Sequence, residues 1–284
     1  MERKNHEFLP IILAGGLGKR MNSETPKVLH QLCGKPMIVH IIERVIKLNP
    51  KKIYIVVGKY RDIIKETIDY YNIGLSSQTT SMINIEYVYQ ETAQGTGHAI
   101  MCCEESLKKE SPNAKVLILS GDVPLISENT INELINNKQR VVLLTTVLND
   151  PFGYGRIKKI DNVFERIVEQ KDCDEEETQI REINGGVYCI ENKYITGHIS
   201  KLSNENKSNE YYLTDLLEII KNNENERIQT LELKKEKQYE IMGVNTPEQL
   251  QELEKVYKVL EYSRKKVESS SNKKMRQLIW GMDR

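Results

Sequence analysis

No apolar run in the 284-residue chain approaches the length of a membrane span, and Met1–Pro10 holds no apolar stretch of signal-peptide length. A membrane or exported protein is therefore not expected. Charge of one sign is lacking too: 41 Lys and Arg meet 41 Asp and Glu, so no global basic field draws in nucleic acid. The five cysteines are odd in number and form no CxxC pair, which argues against a disulfide framework or a zinc site and fits a reducing cytoplasm. Hexapeptide, solenoid and propeller repeats are missing as well. What is present is 39% hydrophobic residues in a chain long enough for one large domain or two small ones. Any anion binding must then come from local charge.

The apolar residues are ordered. "FLPIIL", "KIYIVV", "INIEYVY", "KVLILS" and "RVVLLTTVL" are short continuous runs that read as buried strands. Between them Ile38, Ile41, Ile42, Val45 and Ile46 share one helix face. Gly97–Lys109 and Ser127–Asn137 also read as helices, with Ser127 and Thr130 placed to cap the second. Adjacent Cys102 and Cys103 read as small helix-face residues rather than a redox pair. Alternating strand and helix predicts an α/β fold, a mixed and mostly parallel central sheet with helices on both faces. Ligands of such sheets bind at the carboxyl ends of the strands.

The second half is less regular. "GRIKKIDNVFERIVEQ" predicts a hairpin turning at Asp161–Asn162, and "CDEEET" a solvated acidic loop. "EINGGVYCI" returns to a strand, Lys193–Leu202 and Tyr212–Lys221 are helical patterns, and "YEIMGV" is one more apolar segment. From Pro247 a long helix is expected, because Leu250, Leu253, Tyr257, Leu260 and Val267 follow three-four spacing, interrupted by Arg264. Its stripe is expected to pack on its own domain. "VESSSNKK" reads as a linker before the terminal "MRQLIWGMDR". The expected division is a catalytic domain over 1–247 and a C-terminal helical arm and tail over 248–284, with the helix a candidate homo-oligomer contact.

The chemistry starts at "LPIILAGGLGKRM", Leu9–Met21. The dinucleotide fingerprint fails, since Met21 takes its third glycine position. The Walker loop fails too, since Arg20 follows Gly18-Lys19 and Leu13 takes the leading glycine position. The logic of a phosphate cradle survives both failures. Gly15, Gly16 and Gly18 would let phosphate oxygens approach backbone N–H groups. Arg20 offers a planar fork and Lys27 a point charge. The alternative is a tight turn with exposed cations. Asp122 ends a buried strand, a costly place for an idle carboxylate, with a cap before Pro124 as its alternative.

"LAGGLGKRMNSETPKVLHQLCGKPM" resembles the signature of the sugar-nucleotide pyrophosphorylases, L-A-[AG]-G-x-G-[TS]-R-M…P-K-x-L…G-[KR]-P-[ML]. In order along the chain, "QETAQGTGHAI", "LSGDVPLI", "DPFGYGRI", "IVEQKD", "EINGGVYCI", "NEYYLTDLL" and "MGVNTPEQL" are similar to further motifs of that family. The resemblance spans roughly Leu9–Leu253, and the Arg20-to-Lys27 spacing looks most like the N-acetylglucosamine-1-phosphate uridylyltransferase branch.

The resemblance implies a Rossmann-like nucleotidyltransferase fold and an Mg2+-dependent reaction. N-acetylglucosamine-1-phosphate would attack the α-phosphate of UTP in line, giving UDP-N-acetylglucosamine and pyrophosphate. Arg20 and Lys27 would be catalytic on the triphosphate. Leu13, Gly15, Gly16, Gln90, Gly95 and Thr96 would bind the nucleotide, and Gly155, Glu169 and Asn184 the sugar. Asp122 and Asn245 would hold the metal, although Asn245 could instead cap the Pro247 helix. Lys171 is a further candidate for the sugar phosphate. The chemistry requires no acid–base group, so His30, His98 and Tyr154 read as structural.

Two departures stand out: Lys19 where the family prefers Thr or Ser, and Ser120 where the uridylyl branch often has Tyr. The acetyltransferase repeats of the bacterial enzymes do not follow in this chain, so acetyl transfer is not expected. Competing expectations are the same reaction on another pair, such as glucose-1-phosphate or dTTP, and a non-catalytic sugar-nucleotide-binding protein. A GT-A glycosyltransferase would want D-x-D, where "GDVP" offers one acid.

Overall fold

The computed structural model describes residues 7–16, 18–71 and 83–280, without the side chains of Lys19 and residues 267–280. The Val267 side chain and the segment after Trp280 therefore lie outside the described residues. In the first half, β1 (Phe8–Leu13) leads through a small hairpin, β2 (Gln31–Leu32) and β3 (Lys35–Pro36), into α1 (Met37–Ile46). Then come β4 (Lys52–Val57), α2 (Arg61–Tyr70), β5 (Asn84–Tyr89), α3 (Thr96–Met101), α4 (Glu104–Leu107), β6 (Lys115–Ser120), α5 (Glu128–Ile135) and β7 (Val141–Val147). The second half adds β8 (Arg156–Ile160), β9 (Val163–Val168), β10 (Glu182–Glu191), α6 (Asn192–His198), α7 (Asp215–Glu224), β11 (Ile228–Glu232) and α8 (Pro247–Trp280).

The main sheet runs β11-β7-β10-β6-β1-β4-β5, with the β8–β9 hairpin attached to β10. β1 pairs parallel with β4 and β6, β4 with β5, and β11 with β7, while β10 runs antiparallel to β6, β7 and β8. The apolar runs are continuous because both faces of the sheet are covered. Ile53, Ile55 and Val57 of β4 enter a core with α1, α2 and α5, and Tyr54 and Val56 enter another with α3, α4, α6 and α7. β1 and β6 alternate in the same way. The chain steps from β1 to β4 on one side and later to β6 on the other, so the ligand-binding crevice of such sheets falls beyond Leu13 and Ser120.

Three expectations need correction. Gly97–Lys109 is not one helix: Cys103 N–H bonds the Ile100 carbonyl, a tightened turn that ends α3 and puts Cys103 into the core before α4 begins. "CDEEET" is not wholly solvated. Glu177 is buried and takes Lys158 at 2.7 Å and Arg166 at 3.0 Å, which pin this loop to the β8–β9 hairpin. "VESSSNKK" is not a linker, since α8 continues through it to Trp280.

The start of α8 is held twice. Thr246 and Gln249 form a reciprocal cap: Gln249 N–H donates to Thr246 Oγ1 at 3.3 Å, and Thr246 N–H to Gln249 Oε1 at 3.2 Å. Leu253 is fully buried in a third core with Met21, Leu32, Met37, Leu125 and Val244. Leu253→Ala is expected to lower stability by about 3 kcal/mol through the cavity it leaves, read by denaturant titration. A loss under about 0.5 kcal/mol would mean that the packing of α8 adds nothing to stability. Among the described residues, no helix is long and apolar enough to cross a membrane.

Candidate active site

A cleft of about 580 Å3 opens at the carboxyl ends of β1, β5 and β6, lined among others by Leu13, Gly15, Gly16, Gly18, Lys27, Gln90, Gly95, Thr96, Ser120 and Asp122. A wider depression of about 780 Å3 beside α5 and β11 holds none of these residues. At the glycine-loop end, Gly18 adopts φ +61°, and a Cβ there would stand 2.7 Å from the Lys27 Cβ. The bare residue lets the lysine chain pack against the loop. The Lys27 ammonium pairs with Asp122 Oδ2 and donates to Asn245 Oδ1 at 2.9 Å. Arg20 donates to the same Asn245 oxygen at 3.0 Å. Arg20, Lys27, Asp122 and Asn245 thus meet at one point, although 225 residues separate the first from the last.

Asn245 is not the helix cap, because Thr246 takes that position; its N–H donates to Gln249 Oε1 at 2.7 Å. Ser120 has a partner too, donating to Asp122 Oδ1 at 2.5 Å. The departure at Ser120 therefore supplies a hydroxyl that orients the carboxylate.

At the other end Gln90 is buried. Gly95 adopts φ +107°, and a Cβ there would stand 2.4 Å from the Tyr211 carbonyl, so the entry to α3 is built for glycine. Thr96 Oγ1 accepts from Leu213 N–H at 3.2 Å. The 211–213 segment thereby holds the start of α3.

Gly155, Glu169 and Asn184 also converge. Asn184 N–H donates to the Gly155 carbonyl at 2.9 Å, and a Cβ on Gly155 would lie 3.5 Å from the Glu169 carboxylate. Asn184 is fixed on both sides, its amide donating to Tyr188 OH at 2.6 Å and accepting from Gly186 N–H at 3.0 Å. Glu169 Oε1 accepts from Thr214 Oγ1 at 3.0 Å. Burial, then Asp172 and Glu210, push the Glu169 carboxyl up. Lys171 donates to Ser208 at an exposed position.

Sequence reasoning gave no role to Ser120, Thr214, Arg156 or Gln170. Arg156 is 2% exposed and donates to Gln170 Oε1 at 2.8 Å, and Gln170 also takes Gly153 N–H at 2.8 Å. These bonds hold the loop that presents Gly155. The available signal was an arginine at an inward position of a short strand.

Asp215, at the start of α7, belongs to the acidic side of this region. Burial, then Glu169, Glu218 and Asp172, push its carboxyl up to about 6. The folded protein holds this proton more tightly than the unfolded chain. Stability therefore falls as pH rises from about 4 to about 6, and the loss is complete above that range. Asp215→Asn is expected to stabilise the protein by about 1–2 kcal/mol at pH 8, a value discounted for the partial exposure of the group, and by almost nothing near pH 4. Equal melting-temperature gains at both pH values would show that charge is not the cause.

A switch-point cleft that carries a glycine loop and gathers two cations around a carboxylate and an amide defines an α/β transferase domain for nucleoside triphosphates. The chain belongs to the family described as MobA-like NTP transferase domain, whose model matches residues 10–156. It is similar to Bifunctional protein GlmU of Clostridium botulinum, 43% identical over 249 residues, covering 86% of this chain and 50% of that protein. Bifunctional protein GlmU of Clostridium beijerinckii is 39% identical over 253 residues, covering 87% and 51%. The chain thus spans about half the length of the curated relatives it matches. Its fold is shared with the inositol-1-phosphate CTP transferase from T. maritima, at a TM-score of 0.63 and 16% identity, over 88% of this chain and 97% of that one.

Proposed function

We propose that the chain transfers uridylyl from UTP to N-acetylglucosamine-1-phosphate, releasing pyrophosphate and forming UDP-N-acetylglucosamine. The observation that carries this reading is the meeting of Arg20, Lys27, Asp122 and Asn245 at the mouth of the glycine-loop cleft. Both substrates are anions, and their repulsion must be cancelled before one phosphate oxygen can reach the other phosphorus. Arg20 and Lys27 supply that cancellation and stabilise charge on the departing pyrophosphate. Leu13, Gly15, Gly16, Gln90, Gly95 and Thr96 hold the nucleotide, and Gly155, Glu169 and Asn184 bind the sugar through its hydroxyl and acetamido groups.

The donor set suits Mg2+. Asp122 Oδ2 and Asn245 Oδ1 are hard oxygens that face the same ammonium. Among the described residues, no group of three His, Cys, Asp or Glu could hold a metal. One carboxylate and one amide oxygen, completed by phosphate oxygens and water, match the habit of this ion. When bound, it would neutralise and align the phosphates. On this reading residues 1–247 form the catalytic domain and 248–284 the arm. The five free thiols suit a reducing cytoplasm.

Pyrophosphate release with Mg2+, a panel of nucleoside triphosphates that includes UTP and dTTP, and a panel of sugar-1-phosphates tests the assignment. Release with N-acetylglucosamine-1-phosphate is expected. Turnover of glucose-1-phosphate alone would move the substrate assignment, and no release with any nucleotide–sugar pair would replace the enzyme by a binding protein.

A further inference from the structure

Gln90 has both hydrogens of its amide engaged. Nε2 donates to the Gly95 carbonyl at 3.1 Å and lies 3.1 Å from His98 Nδ1. A carbonyl can only accept, so Gly95 decides which end of the amide faces it. His98 must then accept at Nδ1, which makes it the neutral imidazole protonated on Nε2. One group of Gln90 remains to address the cleft, Oε1. That atom lies against the glycine loop, since a Cβ on Gly15 would stand 2.8 Å from it. Gln90 and Gly15 both line the cleft. The His98 ring is itself held: it lies 6.1 Å from the Tyr211 ring, and Tyr211 is tied by backbone bonds to Gln94 and Gly97.

We propose that His98 is a positioning residue for nucleobase choice, locking Gln90 so that it presents an acceptor and no donor. An acceptor fixed in this way meets the imino N3–H of uracil or thymine. Cytosine carries a lone pair at N3 and is repelled there. The substrate class is therefore a nucleotide whose base presents an imino N–H, as the UTP of the proposed reaction does. The inference rests on reading the cleft as a nucleoside triphosphate site. It assigns His98 a part that the transfer chemistry itself does not require.

The test compares equilibrium binding of UTP and CTP, in Mg2+, to the full chain and to His98 variants. The unaltered protein is expected to favour UTP by at least about tenfold. His98→Phe removes one of the two acceptors that orient the amide, and is expected to cut the UTP-to-CTP ratio by about fivefold, the worth of one such hydrogen bond. His98→Asn, which can place an amide oxygen near the position of Nδ1, is expected to keep most of the ratio. Nitrogen-15 NMR of the free protein should find Nδ1 unprotonated in the neutral form.

A ratio unchanged in a folded His98→Phe protein overturns the proposal, as does equal weakening of both nucleotides or a protonated Nδ1. Should His98→Phe not fold, His98→Ser is read by the same criterion. Failure of the unaltered protein to bind either nucleotide would instead overturn the underlying reading of the cleft, and the inference with it.

Discussion

Asp122→Ala is expected to reduce pyrophosphate release at least about 1,000-fold while the protein stays folded. The carboxylate lies two residues beyond β6, with one oxygen on Ser120 and the other on Lys27. Its removal takes away the one charged oxygen donor of the proposed metal pair and leaves Asn245 alone with two cations. The fold does not depend on it, because β6 is held by its ladders to β1 and β10. Asp122→Asn is the sharper control. An amide oxygen can still accept from Ser120 or Lys27, yet it lacks the charge that holds a divalent ion. Turnover within tenfold of the parent for the Asn variant, in Mg2+, would remove Asp122 from the metal site.

Lys27→Met should lower kcat by about 100- to 1,000-fold, with a smaller rise in KM for UTP. Methionine keeps much of the stem that packs beneath Gly18 and loses the charge. On the proposed reading the split follows from where charge develops, since the ammonium would be needed most as pyrophosphate departs. Lys27→Arg is expected to rescue poorly. A planar fork cannot take the place of a compact ammonium between the Asp122 and Asn245 oxygens. A variant with unchanged kcat and a raised KM would make Lys27 a binding residue only. A variant with both parameters unchanged would leave Arg20 as the working cation.

The sheet was legible because its strands are buried on both faces, so "KIYIVV" and "KVLILS" could not be confused with half-exposed strands. The hairpin turn was legible because Asp161 and Asn162 tolerate the positive φ they adopt, 49° and 62°. The residues that meet at the site were nameable from motif order. Their bonding was not, because Asn245 reaches Arg20 only through the packing of the α8 start.

Where the reading failed, a contact distant in sequence decided the outcome. Glu177 is buried because Lys158 and Arg166 on the neighbouring hairpin hold it, which composition of the acidic run cannot reveal. Ser120 looked like a lost aromatic, because one sequence shows what a position lacks but not which carboxylate its hydroxyl reaches. "VESSSNKK" contains neither proline nor glycine, so nothing in it forbids the helix from continuing.

β10 runs against its neighbours, and this inverts which of its ends reaches the ligand edge. In a wholly parallel sheet every strand delivers chemistry from its last residues. Here the reversed strand delivers Asn184 from its beginning, next to Gly155 at the head of β8. The proposed sugar-reading residues therefore all come after residue 150, and the glycine loop, Gln90 and Asp122 all come before it. On the proposed reading, nucleotide preference and acceptor preference are therefore set by separate stretches of the chain. A substitution along the β8–β10 segment would then alter acceptor preference while leaving Arg20, Lys27, Asp122 and Asn245 in place.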